Sequence, residues 1–431
     1  MSIDKAPERS ADVVGVCARR LSDIGRFEQA GELLEGVDAH RDAVEAYLRA
    51  KLWERARHAA TAGGPQLVRW AEEQHAAALA AVGDAGALMQ QGNGSAGIEV
   101  LAQQGQWNKV HELAKEQGGE AAMAYALKHA KYCCQSGDFV GGCAALAQNG
   151  CPAQPAHYEM YRLLAREVLS SRSTDGLEHL KGMLYSLVCA MRAGGSEADP
   201  NDLTDFEKKL KVAHWANVAA VAAARAAQQP AKAQALRSIA ASARTSILRY
   251  VGEVPADKAF LEAGMACREA GRHSSAFVLL NRFLDITEAI DQDADASALE
   301  LDNSDYVQTD IPFDFAIPAA HYLENEDDRE AVRDQVLEMS MQQQVEQVLP
   351  TRACASCGAQ TYEAAAMCHE CKAVSDECCI TGSPVESHSL VRVALAGAPA
   401  ILPCANKGSF NTWVGEFGTC PLSGVAQQQS F

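Results

Sequence analysis

Cys354-Ala-Ser-Cys357 and, ten residues further on, Cys368-His-Glu-Cys371 are two C-x-x-C pairs. Thiolates at this spacing converge on one tetrahedral centre of the kind that structural zinc occupies. Eight of the fifteen cysteines fall within residues 351–431, so the enrichment is local. The competing reading is reduced thiols or a disulfide pair. Cys378, Cys379, Cys404 and Cys420 follow, as further ligands or as small buried apolar side chains. Asp291, Asp293, Asp295 and Ser297 imitate the start of a calcium loop, but Ala296 replaces its Gly and Asp302 its final Glu, which argues against calcium. No phosphate-binding Gly loop, G-x-S-x-G elbow or H-E-x-x-H helix occurs, so hydrolase and nucleotide chemistry have no support.

The composition bounds the rest. With 431 residues, 6% aromatics and abundant Ala, Leu, Glu and Gln, the chain reads as mainly helical and longer than one ordinary domain. A formal charge of −18 excludes nucleic-acid phosphate as a natural partner, because that binding runs on Lys and Arg patches. No apolar run reaches membrane-spanning length, and the charged start is read as no signal peptide. Metal-type cysteine spacing then points to a reducing, cytosolic compartment.

Elements that could position the cysteines follow from a recurrent phrase. Gly25-Arg-Phe27-Glu-Gln-Ala30, Gly105-Gln-Trp107-Asn-Lys-Val110, Gly137-Asp-Phe139 and Gly271-Arg-His-Ser-Ser-Ala276 share it, and Lys51-Leu-Trp53-Glu-Arg-Ala56 varies it. Each places a turn before a bulky residue and then small residues that let two helices approach. This predicts a tetratricopeptide-like α-solenoid over residues 1–285, with an irregular repeat. Thr204 is expected to cap the helix that follows Asp199-Pro200-Asn201-Asp202. Residues 286–350 read as an acidic linker, an extended Pro-containing segment (Thr309–Pro318) lying along a groove, and a last helix from Asp327 to Val348. Phe283 to Asp328 holds fourteen Asp or Glu and no Lys or Arg. Residues 351–376 are the zinc-knuckle pair. Residues 377–431 are a small α+β module, with a strand at Val391–Leu395 and a helix near Asn406–Phe417. In that module Ser423 stands where a RING domain would place its final Cys, and hydroxyls in place of metal are the habit of a U-box.

Several strings together resemble one family. Asp310-Ile-Pro-Phe313, Arg329-Glu-Ala-Val-Arg333, Glu346-Gln-Val-Leu-Pro350, Thr361-Tyr-Glu-Ala364, Cys379-Ile-Thr-Gly382, Ala405-Asn-Lys407, Lys258-Ala-Phe260 and Leu280-Asn-Arg-Phe-Leu-Asp285 are similar to the C-terminal part of the largest-subunit family of intraflagellar transport complex B. The resemblance implies a fragment of a much longer protein that carries β-propellers ahead of its solenoid. It implies a structural or adaptor role in cilium assembly, at the cilium or flagellum and its base, with other intraflagellar transport subunits as partners. It also implies a U-box-like end that engages ubiquitin or a ubiquitin-conjugating enzyme, with an active ligase or a non-catalytic ubiquitin reader as alternatives. Carried over, Ile380 and Pro421 occupy the two loops that would contact the conjugating enzyme, with Phe410 and Trp413 on the helix between them. Such a ligase has no nucleophile of its own and works by positioning.

Overall fold

In a computed structural model, residues 10–194, 199–292, 298–342, 345–393 and 401–430 are described. The calcium-like string therefore falls largely outside them, since 293–297 are not described. The chain divides into two compact units, Met1–Tyr125 and Ala126–Phe431.

The first unit is built from α1 (Ser10–Asp23), α2 (Phe27–Glu35), α3 (His40–Arg49), α4 (Trp53–Gly63), α5 (Pro65–Val82), α6 (Ala85–Gln90), α7 (Gly94–Gln103) and α8 (Trp107–Gln117). Successive helices pack on one another. Most of the turns obey one rule: a residue with positive φ, then a helix beginning two positions later. Gly64 (φ 106°) is an exception, followed at once by Pro65 of α5. Gly25, Asp38, Lys51, Gly83, Gly92 and Gly105 all follow the rule. Four of these are glycines, for which the left-handed region carries no Cβ penalty. The small residues after each turn serve close packing. A Cβ on Gly31 of α2 would lie 2.6 Å from the Tyr47 ring of α3. The core around α1–α5 is lined mostly by alanines, including Ala30, Ala43, Ala56, Ala59 and Ala60, with Tyr47 and Val44 as its bulk.

The second unit holds the remainder of α9 (Gly119–Ser136), then α10 (Phe139–Asn149), α11 (Tyr158–Ser170), α12 (Leu177–Ala193), α13 (Pro200–Gln228), α14 (Ala233–Ile247), α15 (Ala256–Glu269), α16 (His273–Gln292) and α17 (Glu326–Ser340). The Gly137 and Gly271 turns follow the same rule. The N-cap of α13 is Asp199 and not Thr204: Asp199 accepts from the Asn201 N–H at 2.8 Å, and Pro200 fills the first helical position. Proline is pre-organised there, so the helix starts earlier than a Thr204 cap would allow. Thr204 instead donates its hydroxyl to the Pro200 carbonyl. α17 stops at Ser340, short of the expected Val348.

Between α16 and α17, Tyr306, Ile311, Phe315 and Ile317 are buried in the core formed by α15 and α16. Phe315 lies 6.1 Å from Phe260, and the Arg282 guanidinium covers both Tyr306 and Phe315. The C-terminal elements are β1 (Thr351–Ala353) paired antiparallel with β2 (Gln360–Tyr362), β3 (Leu390–Arg392) paired with β4 (Cys404–Asn406), and α18 (Lys407–Phe417). One apolar core runs from Ala126 through Trp215 to Ile380, Trp413 and Leu422. The end module is thus part of the second unit's core.

Candidate metal centre and the end module

Four turns of one kind build the end module. In the first, Gly358 (φ 76°) donates its N–H to the Cys354 carbonyl at 2.9 Å, and Cys354 donates to Ala359 at 2.8 Å. In the second, Lys372 (φ 58°) donates to Cys368 at 3.0 Å, and Cys368 donates to Ala373 at 3.0 Å. The third repeats this with Gly382 (φ 71°) on Cys378 at 2.7 Å, and the fourth with Gly424 (φ 70°) on Cys420 at 2.9 Å. The fourth position of each turn is Cys357, Cys371, Thr381 and Ser423 in order. Two turns therefore offer a pair of thiols, and two offer a thiol and a hydroxyl.

The thiol turns face each other. All four sulfurs of Cys354, Cys357, Cys368 and Cys371 lie within 4.8 Å of one another. Cys354 Sγ is 3.8 Å from Cys371 Sγ, and Cys357 Sγ is 3.8 Å from Cys368 Sγ. A tetrahedron with zinc–sulfur bonds of about 2.3 Å has edges of about 3.8 Å. The donor set and its spacing fit a zinc ion. Backbone N–H groups of Cys357 and Ser356 pull the Cys354 thiol down, favouring a thiolate there, whereas Cys357, although the Ala359 N–H draws it down, is pushed up by the Cys371 thiol. Cys354 and Cys368 are buried, whereas Cys357 and Cys371 reach solvent.

The hydroxyl turns are closed differently. Thr381 Oγ1 accepts from Ser383 N–H and Ser423 Oγ from Val425 N–H, each at 3.4 Å, so the side chains cap their own turns. Cys378, Cys379, Cys404 and Cys420 are all buried. Among the described residues, the first four cysteines form the one group with metal-holding geometry.

Ile380, Phe410, Trp413 and Pro421 are also buried. Ile380 is completely enclosed, and Trp413 donates its indole N–H to the Thr419 carbonyl at 3.0 Å while its ring packs on Phe417 at 4.2 Å. The turns carrying Ile380 and Pro421 face inward because helices fasten their backbones. His214 of α13 donates Nε2–H to the Cys379 carbonyl at 2.6 Å, and Ser246 of α14 donates to Thr381 at 2.9 Å. Arg249 reaches both Ala364 (3.0 Å) and Gly382 (2.6 Å), and Lys181 of α12 donates to Pro421 at 2.8 Å. On α18, Glu416 is paired with Arg225 and Lys232. Sequence reasoning missed these donors. The available signal was polar: His214 and Asn217 interrupt an otherwise apolar stretch of α13 and so need partners.

The class is therefore a helical-hairpin protein closed by a knuckle-turn module with room for one structural metal. No protein-family model matches the chain. It is 40% identical over 433 residues to intraflagellar transport protein 172 of Chlamydomonas reinhardtii, covering 99% of this chain and 24% of that protein. The mouse homologue is 33% identical over 391 residues, covering 88% of this chain and 21% of its own length. The intraflagellar transport protein osm-1 of Caenorhabditis elegans is 26% identical over 321 residues. The chain belongs to the intraflagellar transport protein 172 family and matches its C-terminal part. It spans between 18% and 24% of the length of the relatives named.

Proposed function

We propose that this chain is a structural and adaptor segment of an intraflagellar transport subunit, working in the cilium or flagellum beside other subunits of the transport complex. The observation that carries it is the 40% identity extending over 99% of the chain. Stacked hairpins offering surface to partners agree with it. The test is replacement: this chain, substituted for the matching part of the Chlamydomonas relative, restores flagella to cells lacking that part. Accumulation of the chimaera without flagella overturns the reading.

The four cysteines hold one structural Zn2+ that ties the two thiol turns together. Metal analysis of purified protein should return about one zinc per chain, and Cys357→Ser should lower that to near zero. A zinc-free, fully folded wild type overturns this part. The ligase reading of the end module needs Ile380 and Pro421 exposed together on one face, whereas a non-catalytic ubiquitin reader does not depend on Pro421. Burial of both residues lends the ligase reading no support, and the adaptor reading requires neither.

A further inference from the structure

Two knuckle turns share one ion only if the loop between them, residues 358–367, is held still. Asp310 does this from outside the module. Its Oδ2 accepts the Ala366 N–H at 2.7 Å and the Met367 N–H at 3.3 Å, the two residues that lead into Cys368. Asp310 belongs to the Pro-containing strap whose Ile311, Phe315 and Ile317 are buried in the second unit's core. The same loop is gripped by the Gln308 carbonyl, which accepts from Tyr362 N–H at 3.4 Å, and by Arg249 on Ala364. The second thiol turn is thereby anchored to a strap forty to sixty residues upstream, about which its local sequence says nothing.

We propose that Asp310 is the positioning residue of the metal centre, fixing the backbone that enters the second knuckle and coupling ion binding to the seating of the 309–318 strap. This rests on the zinc reading of the four cysteines. A carboxylate that holds ligand-bearing backbone in place lowers the ordering that binding must supply, and outer-shell partners of this kind are typically worth 10–100-fold in metal affinity. Coupling between sites is reciprocal, so zinc in turn holds the strap.

The test uses the full chain, with zinc affinity measured by competition against a chromogenic chelator. Asp310→Ala should weaken zinc binding by about 10–100-fold, while Asp310→Asn, which keeps an acceptor oxygen, stays within about threefold of wild type. Hydrogen exchange across residues 309–318 should slow when zinc is added to the wild type, and that zinc-dependent slowing should vanish in Asp310→Ala. A wild type that binds no zinc overturns the metal reading, and this inference with it. A wild type that binds zinc, with Asp310→Ala binding as tightly, overturns the role of Asp310 alone. So does an Asp310→Ala that melts lower by the same amount with and without zinc. If Asp310→Ala fails to fold, the wild-type exchange decides: strap protection indifferent to zinc overturns the coupling.

Discussion

His214 is fully enclosed, and burial pushes its imidazole down to about 3, while its Nε2–H serves the Cys379 carbonyl. The folded state thus keeps His214 neutral over a range where the unfolded chain takes up a proton at its ordinary value of about 6.5. Stability from this residue is present above pH 6.5 and is lost as pH falls from there towards 3, by about 1.4 kcal/mol per pH unit. Cysteine protonation also acts in acid, so the informative quantity is a difference. Wild type and His214→Gln should run parallel in denaturant unfolding above pH 7 and diverge below 6.5, with the wild type losing more. Curves that stay parallel down to pH 4.5 refute the assignment. The contrast between residues here explains what sequence could reveal. Cys354, Cys357, Cys368 and Cys371 were legible because their geometry is written in local spacing. The burial of Ile380 and Pro421 was not, because Lys181 and His214 lie 240 and 165 positions away from the carbonyls they hold.

Turns were the most legible elements. At Gly25, Gly105 and Gly137 the aromatic that follows starts a helix two residues after a left-handed residue. Lys51 adopts φ 57° in the same role, at a cost that glycine avoids. Lys51→Gly is therefore expected to stabilise the first unit by about 1 kcal/mol, read as a higher denaturant midpoint with unchanged slope. A lower midpoint would show that the Lys51 side chain contributes more than its backbone costs. Gly382 is the opposite case. Its φ is 71°, and a Cβ there would lie 2.5 Å from Ser246 Cβ and 2.9 Å from Trp215 Cε2. Gly382→Ala should cost the second unit about 3 kcal/mol, from strain plus overpacking. A loss below half a kcal/mol would mean that the third turn is not pressed against α13 and α14 as described. The start of α13 illustrates why caps are harder to read than turns: Asp199 and Thr204 are both competent caps, and Pro200 decides between them.

At the scale of the molecule, the helical class was legible because 3.6-residue periodicity is local, whereas the extent of the second core was not. The C-terminal turns share that core with α12–α16 across more than a hundred residues of chain. Cooperativity should follow the cores. In residues 1–125 the α1–α5 core is mostly alanine and the α6–α8 core rests on Leu88, Ile98, Val100, Leu101 and Val110, so this unit buries far less aromatic surface than 126–431, whose core includes Trp215, Phe206, Phe260 and Phe283. Denaturant should unfold the chain in two steps, the first unit at the lower midpoint. Trp53, Trp70 and Trp107 report on that step and Trp215 and Trp413 on the later one. Chelating zinc should lower only the later midpoint, since all four cysteines lie in the second unit, and Trp215 and Trp413 should still change together. If Trp413 loses its native signal at a lower denaturant concentration than Trp215, the end module is its own cooperative unit, and the burial of Ile380 and Pro421 is a docked state that opens before the helices do.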